Sequence, residues 1–373
     1  MRHYKVAEVV EEISERVNDP ANSKYDKFVG LEHYVSGDVV IKQYGSTENL
    51  ESSMKAFRAG DILIARRNVY LRRASVVLFD GVTSGDSIVL RARNPILAKL
   101  LPFVFNTDGF WDFADKYSDG TMSKRLSPKT LMKYEFDLPN EEEQEKLANI
   151  LWSLNDTREA YRLLLIQTDE MVKSQFIEMF GDPITNERGW NYKKLNEVTQ
   201  IVLGSTPKTG NELFWNGDIK WITPAEIAED SFYISDTVKH ITPEGVKDAG
   251  LKPFPAGTVI FSTRAPIGKT AIAACEMYCN QGFKNFICGS EINPVYLFYL
   301  LRMKKDYFDS MGSGTTFREL SRKALETVGI SVPSLELQNR FELLYKQSDK
   351  SKLIDINNKK YRKIRRKPDV YRI

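Results

Sequence analysis

The apolar positions along the chain fall into two patterns that alternate. Short β-branched and apolar runs occur at Asp61–Ala65, Ser75–Phe79 and Ser87–Leu90, and again at Thr258–Ser262, Thr270–Ala274 and Phe286–Cys288. Bounded by Gly, Pro and polar turns, these runs predict strands. Ahead of the first set, Val6, Val9, Val10, Ile13 and Val17 keep the i, i+3, i+4, i+7 spacing and predict an amphipathic helix. Between the sets, Asn140 to Phe180 contains neither proline nor glycine. There Leu147, Leu151, Leu154, Tyr161, Leu165, Val172 and Met179 recur at alternating four-three spacing, interrupted at Arg158, Thr168, Gln175 and Phe176. That is the 3.5-residue period of a helix packed along another helix. Asn140 with Glu143 resembles a capping box, and Gly181-Asp182-Pro183 supplies the stop. At ~1.5 Å per residue, about 40 residues make a rod of roughly 60 Å.

The two strand sets are copies of one another. Ala59-Gly60-Asp61-Ile62-Leu63-Ile64-Ala65-Arg66 echoes Ala256-Gly257-Thr258-Val259-Ile260-Phe261-Ser262-Thr263-Arg264. Gly120-Thr121-Met122 echoes Gly314-Thr315-Thr316, and Pro139 and Pro333 follow each glycine at the same distance. Gln144 and Gln338 stand five residues beyond each proline, and Val6-Ala7-Glu8-Val9 is matched by Leu195-Asn196-Glu197-Val198. The offset drifts from 189 to 197 and back to 194, as duplicated domains with different loop lengths require. The expected organisation is α+β: two similar mixed α/β domains, residues 1–139 and 183–333, separated by a long helix at 140–182 and followed by a second helix and basic tail at 334–373. Carried across the repeat, the helical seam gives Phe341 and Tyr345, then Ser348, Lys352, Asp355, Lys359, Arg362 and Arg366. It is apolar for about two turns and then charged, so the ending Lys359–Lys367 predicts a solvated basic tail within reach of phosphate.

Composition changes this picture little. With 42% hydrophobic residues the chain can bury real cores, and no apolar run approaches the roughly 20 residues that span a bilayer. Cys275, Cys279 and Cys288 are odd in number and close together, which argues for a reducing cytoplasm over a disulfide framework, and no fourth ligand completes a zinc site. A net charge of +3 is neutral on function. Catalytic chemistry lacks its parts. There is no Gly-rich cofactor loop paired with an Asn/Asp-Pro-Pro-aromatic corner. Gly268-Lys269-Thr270 looks like the end of a P-loop, but Thr263 stands where its first glycine belongs and the motif leads into a strand-like run. Three scattered histidines give little support to a His-based hydrolase.

The turns between strands are another matter. In the first domain they carry Arg66, Arg67, Tyr70, Arg72, Arg73, Ser84, Lys124 and Arg125. In the second they carry Thr263, Arg264, Lys269, Asn280, Gln281, Lys284, Thr315, Thr316 and Arg318. Arginine grips guanine bidentately and Asn or Gln does so for adenine, while Lys, Ser and Thr anchor phosphates. Singly, each is as readily an ordinary polar loop residue; together they favour a nucleic-acid surface.

Phe180-Gly181-Asp182-Pro183, Asn186, Gly189-Trp190, Gly204-Ser205-Thr206-Pro207, Gly217-Asp218-Ile219-Lys220-Trp221-Ile222-Thr223 and Asn280-Gln281-Gly282-Phe283 form an ordered set. It resembles the specificity subunits of type I restriction-modification systems, in layout over nearly the whole chain and most densely from residue 180 to 340. The resemblance implies two target recognition domains, each reading one half of a bipartite, asymmetric double-stranded DNA site. It implies two long helices pairing as an antiparallel coiled coil that spaces the half-sites and docks two methyltransferase subunits, with restriction and translocase subunits joining. S-adenosylmethionine and ATP then belong to those partners and no cofactor to this chain. The charged second helix departs from the family, whose seam stays apolar to its end. Because the family shares Asn280 and Gln281 while targets differ, a structural turn is the rival reading of that pair. The other readings are a recognition subunit of a different DNA-modification or phage-defence assembly, a catalytic enzyme, and a coiled-coil adaptor without a DNA role.

Overall fold

The computed structural model describes residues 1–121, 123–228, 231–312 and 318–348. Met122, Gly314, Thr315, Thr316 and the basic residues from Lys352 onward lie outside the described residues. The chain forms two compact units, Met1–Arg162 and Leu163–Ile373, so the division falls inside one continuous helix, Glu141–Phe180.

Each unit closes on itself with a two-stranded antiparallel ladder. In the first, Arg2–Lys5 lies along Glu135–Leu138 with Arg2 opposite Leu138. In the second, Asn191–Lys194 lies along Gly329–Val332 with Asn191 opposite Val332. The segment after each opening strand is not the helix that its spacing predicts. Val6–Val9 is a single helical turn, and Val10–Ile13 and Arg16–Val17 are strands. Leu195–Val198 and Thr199–Leu203 repeat that switch. Val6, Val9 and Val10 are buried as expected. One turn followed by a strand satisfies the same i, i+3, i+4 spacing, and β-branched Val10 favours the extended branch.

The strands of the repeat do form. Ile62–Ala65 and Ser87–Ala92 pair antiparallel at the centre of a four-stranded sheet, with Val10–Ile13 and Ala74–Val76 outside them. Val259–Phe261 and Lys284–Cys288 hold the equivalent places in a five-stranded sheet with Thr199–Leu203, Thr270–Ala273 and Tyr233–Ile234. The run expected over Ser75–Phe79 is strand only to Val76. Gly60 and Gly257 turn the chain into the central strands with φ of +92° and +84°, a region that favours glycine. Their amides donate to Val77 O and Ala273 O at 2.8 Å. Outside this shared frame the units differ. The first adds a five-stranded sheet around Met54–Phe57 and Gly81–Thr83; the second adds a three-stranded one around Trp215–Ile222.

The repeated proline and glutamine root the helices. Gln144 Nε2 donates to Pro139 O at 2.8 Å and to the Tyr4 hydroxyl at 2.9 Å. Gln338 Nε2 donates to Pro333 O at 2.9 Å and Glu291 O at 3.0 Å, while its Oε1 accepts from Asn293 N at 2.8 Å. Asn140 Oδ1 caps Glu143 N at 3.0 Å, and Gly181 ends the helix with φ +78°. In the first unit, Leu147, Ala148 and Leu151 pack on the core, and Arg158 donates to Asp38 Oδ1 at 2.6 Å. That ion pair is why the apolar seam breaks there.

In the second unit, Val172, Phe176 and Phe180 are buried with Phe341 and Tyr345 of a helix at 335–348. Phe176 and Phe341 ring centroids lie 5.2 Å apart, edge to face. The seam therefore runs through 172, 176 and 180, and Phe176, expected to interrupt it, is its centre. Leu165 and Met179 are half-buried, whereas Leu154 and Tyr161 are 61% and 37% exposed. Phe176→Ala is expected to cost about 3–5 kcal/mol by leaving a cavity among rings. Denaturant unfolding of the second unit measures it, and a loss under about 1 kcal/mol would contradict the packing described. Gln338→Ala should cost about 1–3 kcal/mol in the same experiment, because it strips buried partners from two carbonyls and one amide.

Candidate nucleic-acid interface

Where the strand Ile62–Ala65 ends, main-chain bonds tie three segments into a corner. Arg66 N donates to Asp86 O at 2.9 Å, and Arg66 O accepts from Leu126 N at 2.8 Å. The second unit repeats both bonds: Thr263 N donates to Gly282 O at 2.8 Å, and Thr263 O accepts from Leu320 N at 2.9 Å. One residue on, Arg67 bridges Arg125 and Arg264 bridges Glu319. The fold thus aligns Arg66 with Thr263, Arg67 with Arg264, Asp86 with Gly282 and Arg125 with Glu319. The backbone is kept and the charges are rearranged.

At the first corner Asp86 gathers the cations. Arg67 Nη1 lies 3.3 Å from its carboxylate, and Arg125 Nη2 donates to it. Lys55 Nζ donates to Ser87 O at 3.1 Å. Burial lowers the Lys55 ammonium from its ordinary value, and burial followed by repulsion from Arg125 lowers Arg66. Arg66 Nε is buried without a hydrogen-bond partner among the described residues. Ser84 Oγ accepts from Asp86 N at 3.3 Å and shapes the turn that presents the carboxylate.

The loop from Arg67 to Arg73 is stiffened from beneath. Asn68 and Arg72 have φ of 53° and 50°, and Val69 is buried. Arg73 donates to Leu31 O at 3.0 Å and Arg67 O at 3.1 Å, so it braces the loop. Lys124 Nζ binds Asp115 Oδ2 at 2.7 Å, and Arg72 pairs with Asp108. Tyr70 stands 62% exposed at the tip. Arg67, Tyr70 and Arg125 are the candidates on this side that face solvent together.

At the second corner Arg264 Nε donates to Glu319 Oε2 at 2.9 Å, and the buried Lys284 donates to Glu319 Oε1 at 3.1 Å and Thr263 Oγ1 at 3.0 Å. Partial burial works against the Glu319 carboxylate, yet these two donors hold it below its ordinary value. Thr263 is itself buried. Asn280 Oδ1 accepts from Gly282 N at 2.9 Å, which forms the turn, while Gln281 is exposed and accepts from the Thr206 hydroxyl. Lys269 Nζ donates to Ile227 O at 2.8 Å and Pro224 O at 3.3 Å. Arg318 pairs with Asp309 at 3.3 Å. Thr315 and Thr316 lie outside the described residues.

Asp86, Glu319 and Lys55 belong to these corners and were not singled out from the sequence. Aligning the repeat residue by residue through the strand pairing would have found the two acids, because each sits where the other unit has a glycine or an arginine. Among the described residues no cluster of His, Cys, Asp and Glu could hold a metal ion, and no helix is long and apolar enough to cross a membrane. Burial pushes the Cys279 and Cys288 thiols up to about 12.

Residues 187–366 match the family model of the type I restriction modification DNA specificity domain. Over those residues, just under half of its length, the chain is similar to the type I restriction-modification specificity subunits. It is 39% identical over 156 residues to the MjaIX specificity subunit of Methanocaldococcus jannaschii, covering 41% of this chain and 36% of that one. It is 21% identical over 323 residues to the putative MjaX specificity subunit of the same organism, covering 82% and 75%. The aligned part of the chain spans about a third of the first curated relatives it matches, 36% of MjaIX and 33% of the Haemophilus influenzae HindI specificity subunit. In fold, it resembles the type I S subunit from M. genitalium with a TM-score of 0.59 at 14% identity, over 94% of this chain and 91% of that one. A chain from a study of type I R-M complex assembly gives 0.51 at 21% identity, over 96% and 93%.

Because the Lys269 ammonium is engaged by protein carbonyls, Lys269→Met should lower stability by about 1–3 kcal/mol. DNA affinity should be left where it was. Denaturation paired with a DNA-binding titration checks this, and weakened binding at undiminished stability would place Lys269 on DNA instead.

Proposed function

We propose that the chain is the DNA sequence-specificity subunit of a type I restriction-modification complex, with each unit reading one half of an asymmetric bipartite duplex. The observation that supports it is the duplicated corner, where one backbone frame presents an arginine at the same place in both units amid different neighbours. A fixed frame with variable polar groups is what reading two different half-sites requires, since phosphate contacts position the protein and base-edge contacts specify sequence. Arg67, Tyr70 and Arg125 in one unit, and Arg264 and Gln281 in the other, are the side chains we assign to base edges and phosphates. In this reading the chain performs no chemistry. Two methyltransferase subunits and the restriction and translocase subunits supply it, holding S-adenosylmethionine and ATP, and the complex works in the cytoplasm.

Sequencing the methylome of the host with and without the gene tests the proposal. Loss of one bipartite methylation motif on deletion is the expected result, and an unchanged methylome overturns it. The purified chain alone should show no methyltransferase, nuclease or ATPase turnover. Arg264→Ala should weaken binding by about 1–3 kcal/mol and relax specificity in one half-site only. Equal weakening on every sequence would assign Arg264 to phosphate, and no weakening would remove it from the interface.

A further inference from the structure

Arg67 and Arg264 hold one position in the repeat, yet the carboxylate each meets comes from a different segment of the corner. Asp86 takes the place of Gly282, and Glu319 takes the place of Arg125. The acid has moved across the corner between the units while the arginine–carboxylate pair is kept, at 3.3 Å in one and 2.9 Å in the other. Each acid also holds a second cation. Arg125 donates to Asp86, and Lys284 lies 3.1 Å from Glu319. Both corners keep the same two main-chain bonds whichever segment carries the charge, so the backbone frame does not dictate where the acid stands.

We infer that Asp86 and Glu319 are positioning residues that aim the cations of their corner and keep them from gripping DNA of arbitrary sequence. The inference rests on the DNA-recognition reading above. A guanidinium offers five donors in a planar fork. A carboxylate on one edge fixes the plane and leaves the other edge for a guanine O6/N7 pair. The same carboxylate repels phosphate, so an arginine that turns to the DNA backbone merely exchanges one anion for another. Non-specific binding is almost entirely phosphate-driven, whereas a base-edge contact keeps the ion pair and adds to it. Discrimination thus rises through a penalty on the wrong sequences rather than through tighter binding of the right one.

The test titrates the full-length chain, with its methyltransferase partner where binding requires it, against two labelled duplexes over a salt series. One duplex carries the motif found in the methylome and the other is of random sequence. Asp86→Asn should bind the random duplex about three- to tenfold tighter, with a log–log salt slope steeper by about one to two, as one or two extra phosphate contacts predict. Affinity for the motif should change less, so the ratio between the two falls. Asp86→Glu, which keeps the charge, should retain wild-type values, and Glu319→Gln should reproduce the effect at the other half-site. A residue that merely supports the fold would lower stability without steepening the slope. A folded Asp86→Asn protein with unchanged slope and ratio overturns the inference. If Asp86→Asn does not fold, Glu319→Gln decides by the same criterion, and Asp86→Ser stands behind the pair. Wild-type protein that binds neither duplex would sink the recognition reading itself, an outcome distinct from failure of the variants.

Discussion

Two backbone hydrogen bonds per unit set the working geometry of this chain. The residue after the central strand donates to one neighbouring segment and accepts from another, through Arg66 in the first unit and Thr263 in the second. Main-chain groups make these bonds, so no side chain is committed by them. Arg66 and Thr263 differ in size, charge and burial and still occupy the same node. Satisfying buried amides and carbonyls this way leaves the outward positions free to vary: Asp86 stands where the other unit has Gly282 and Arg125 where it has Glu319, while Arg67 and Arg264 keep the arginine. The closing ladders Arg2–Lys5 with Glu135–Leu138 and Asn191–Lys194 with Gly329–Val332 act to the same end. They fix the ends of each unit and place the buried Gln144 and Gln338 at the roots of helices.

Much of this was legible in the sequence because the duplication samples one frame twice. The matched spacing of Pro139/Pro333 and Gln144/Gln338 marks them without giving a reason. The reason is local: the glutamine amide reaches back to the proline carbonyl and closes the helix start. The strands around Ile62–Ala65 and Val259–Phe261 and the helix Glu141–Phe180 were readable from apolar runs and from the absence of helix breakers. What misled was spacing shared by two conformations. Val6, Val9 and Val10 fit a helix, and they also fit one turn followed by a strand. A strict four-three count makes Phe176 an interruption, whereas the helix in the second unit meets rings from Tyr296 and Phe341 and buries 172, 176 and 180 instead.

The candidate interface was legible only by residue type. Arg, Lys and Gln in turns point to nucleic acid, but the sequence does not say which heads are occupied by the protein. Lys269, Arg73 and Lys124 have the right chemistry and are directed at carbonyls or at Asp115. Asp86 and Glu319 have the wrong charge to be singled out by residue type, although they organise both corners. Such pairings are non-local, joining residues some twenty to fifty-five positions apart, and no periodicity marks them.

The two corners are also unequal in how far they can change. Asp86 meets Arg67 and Arg125, which are 50% and 44% exposed, so either partner can swing into water when the carboxylate is lost. Exposed pairs of this kind contribute little to stability. Glu319 holds Lys284, whose side chain is 8% exposed, and removing one partner of a buried pair strands the other charge away from solvent. Thr263 softens this by accepting from the same ammonium, yet the second corner remains tied to its fold in a way the first does not. Substitution can therefore alter the charge pattern of the first unit at small cost, while the second unit has to change Lys284 and Glu319 together. A duplicated frame has thus produced one corner whose charges change at small cost and one that changes only in coupled steps.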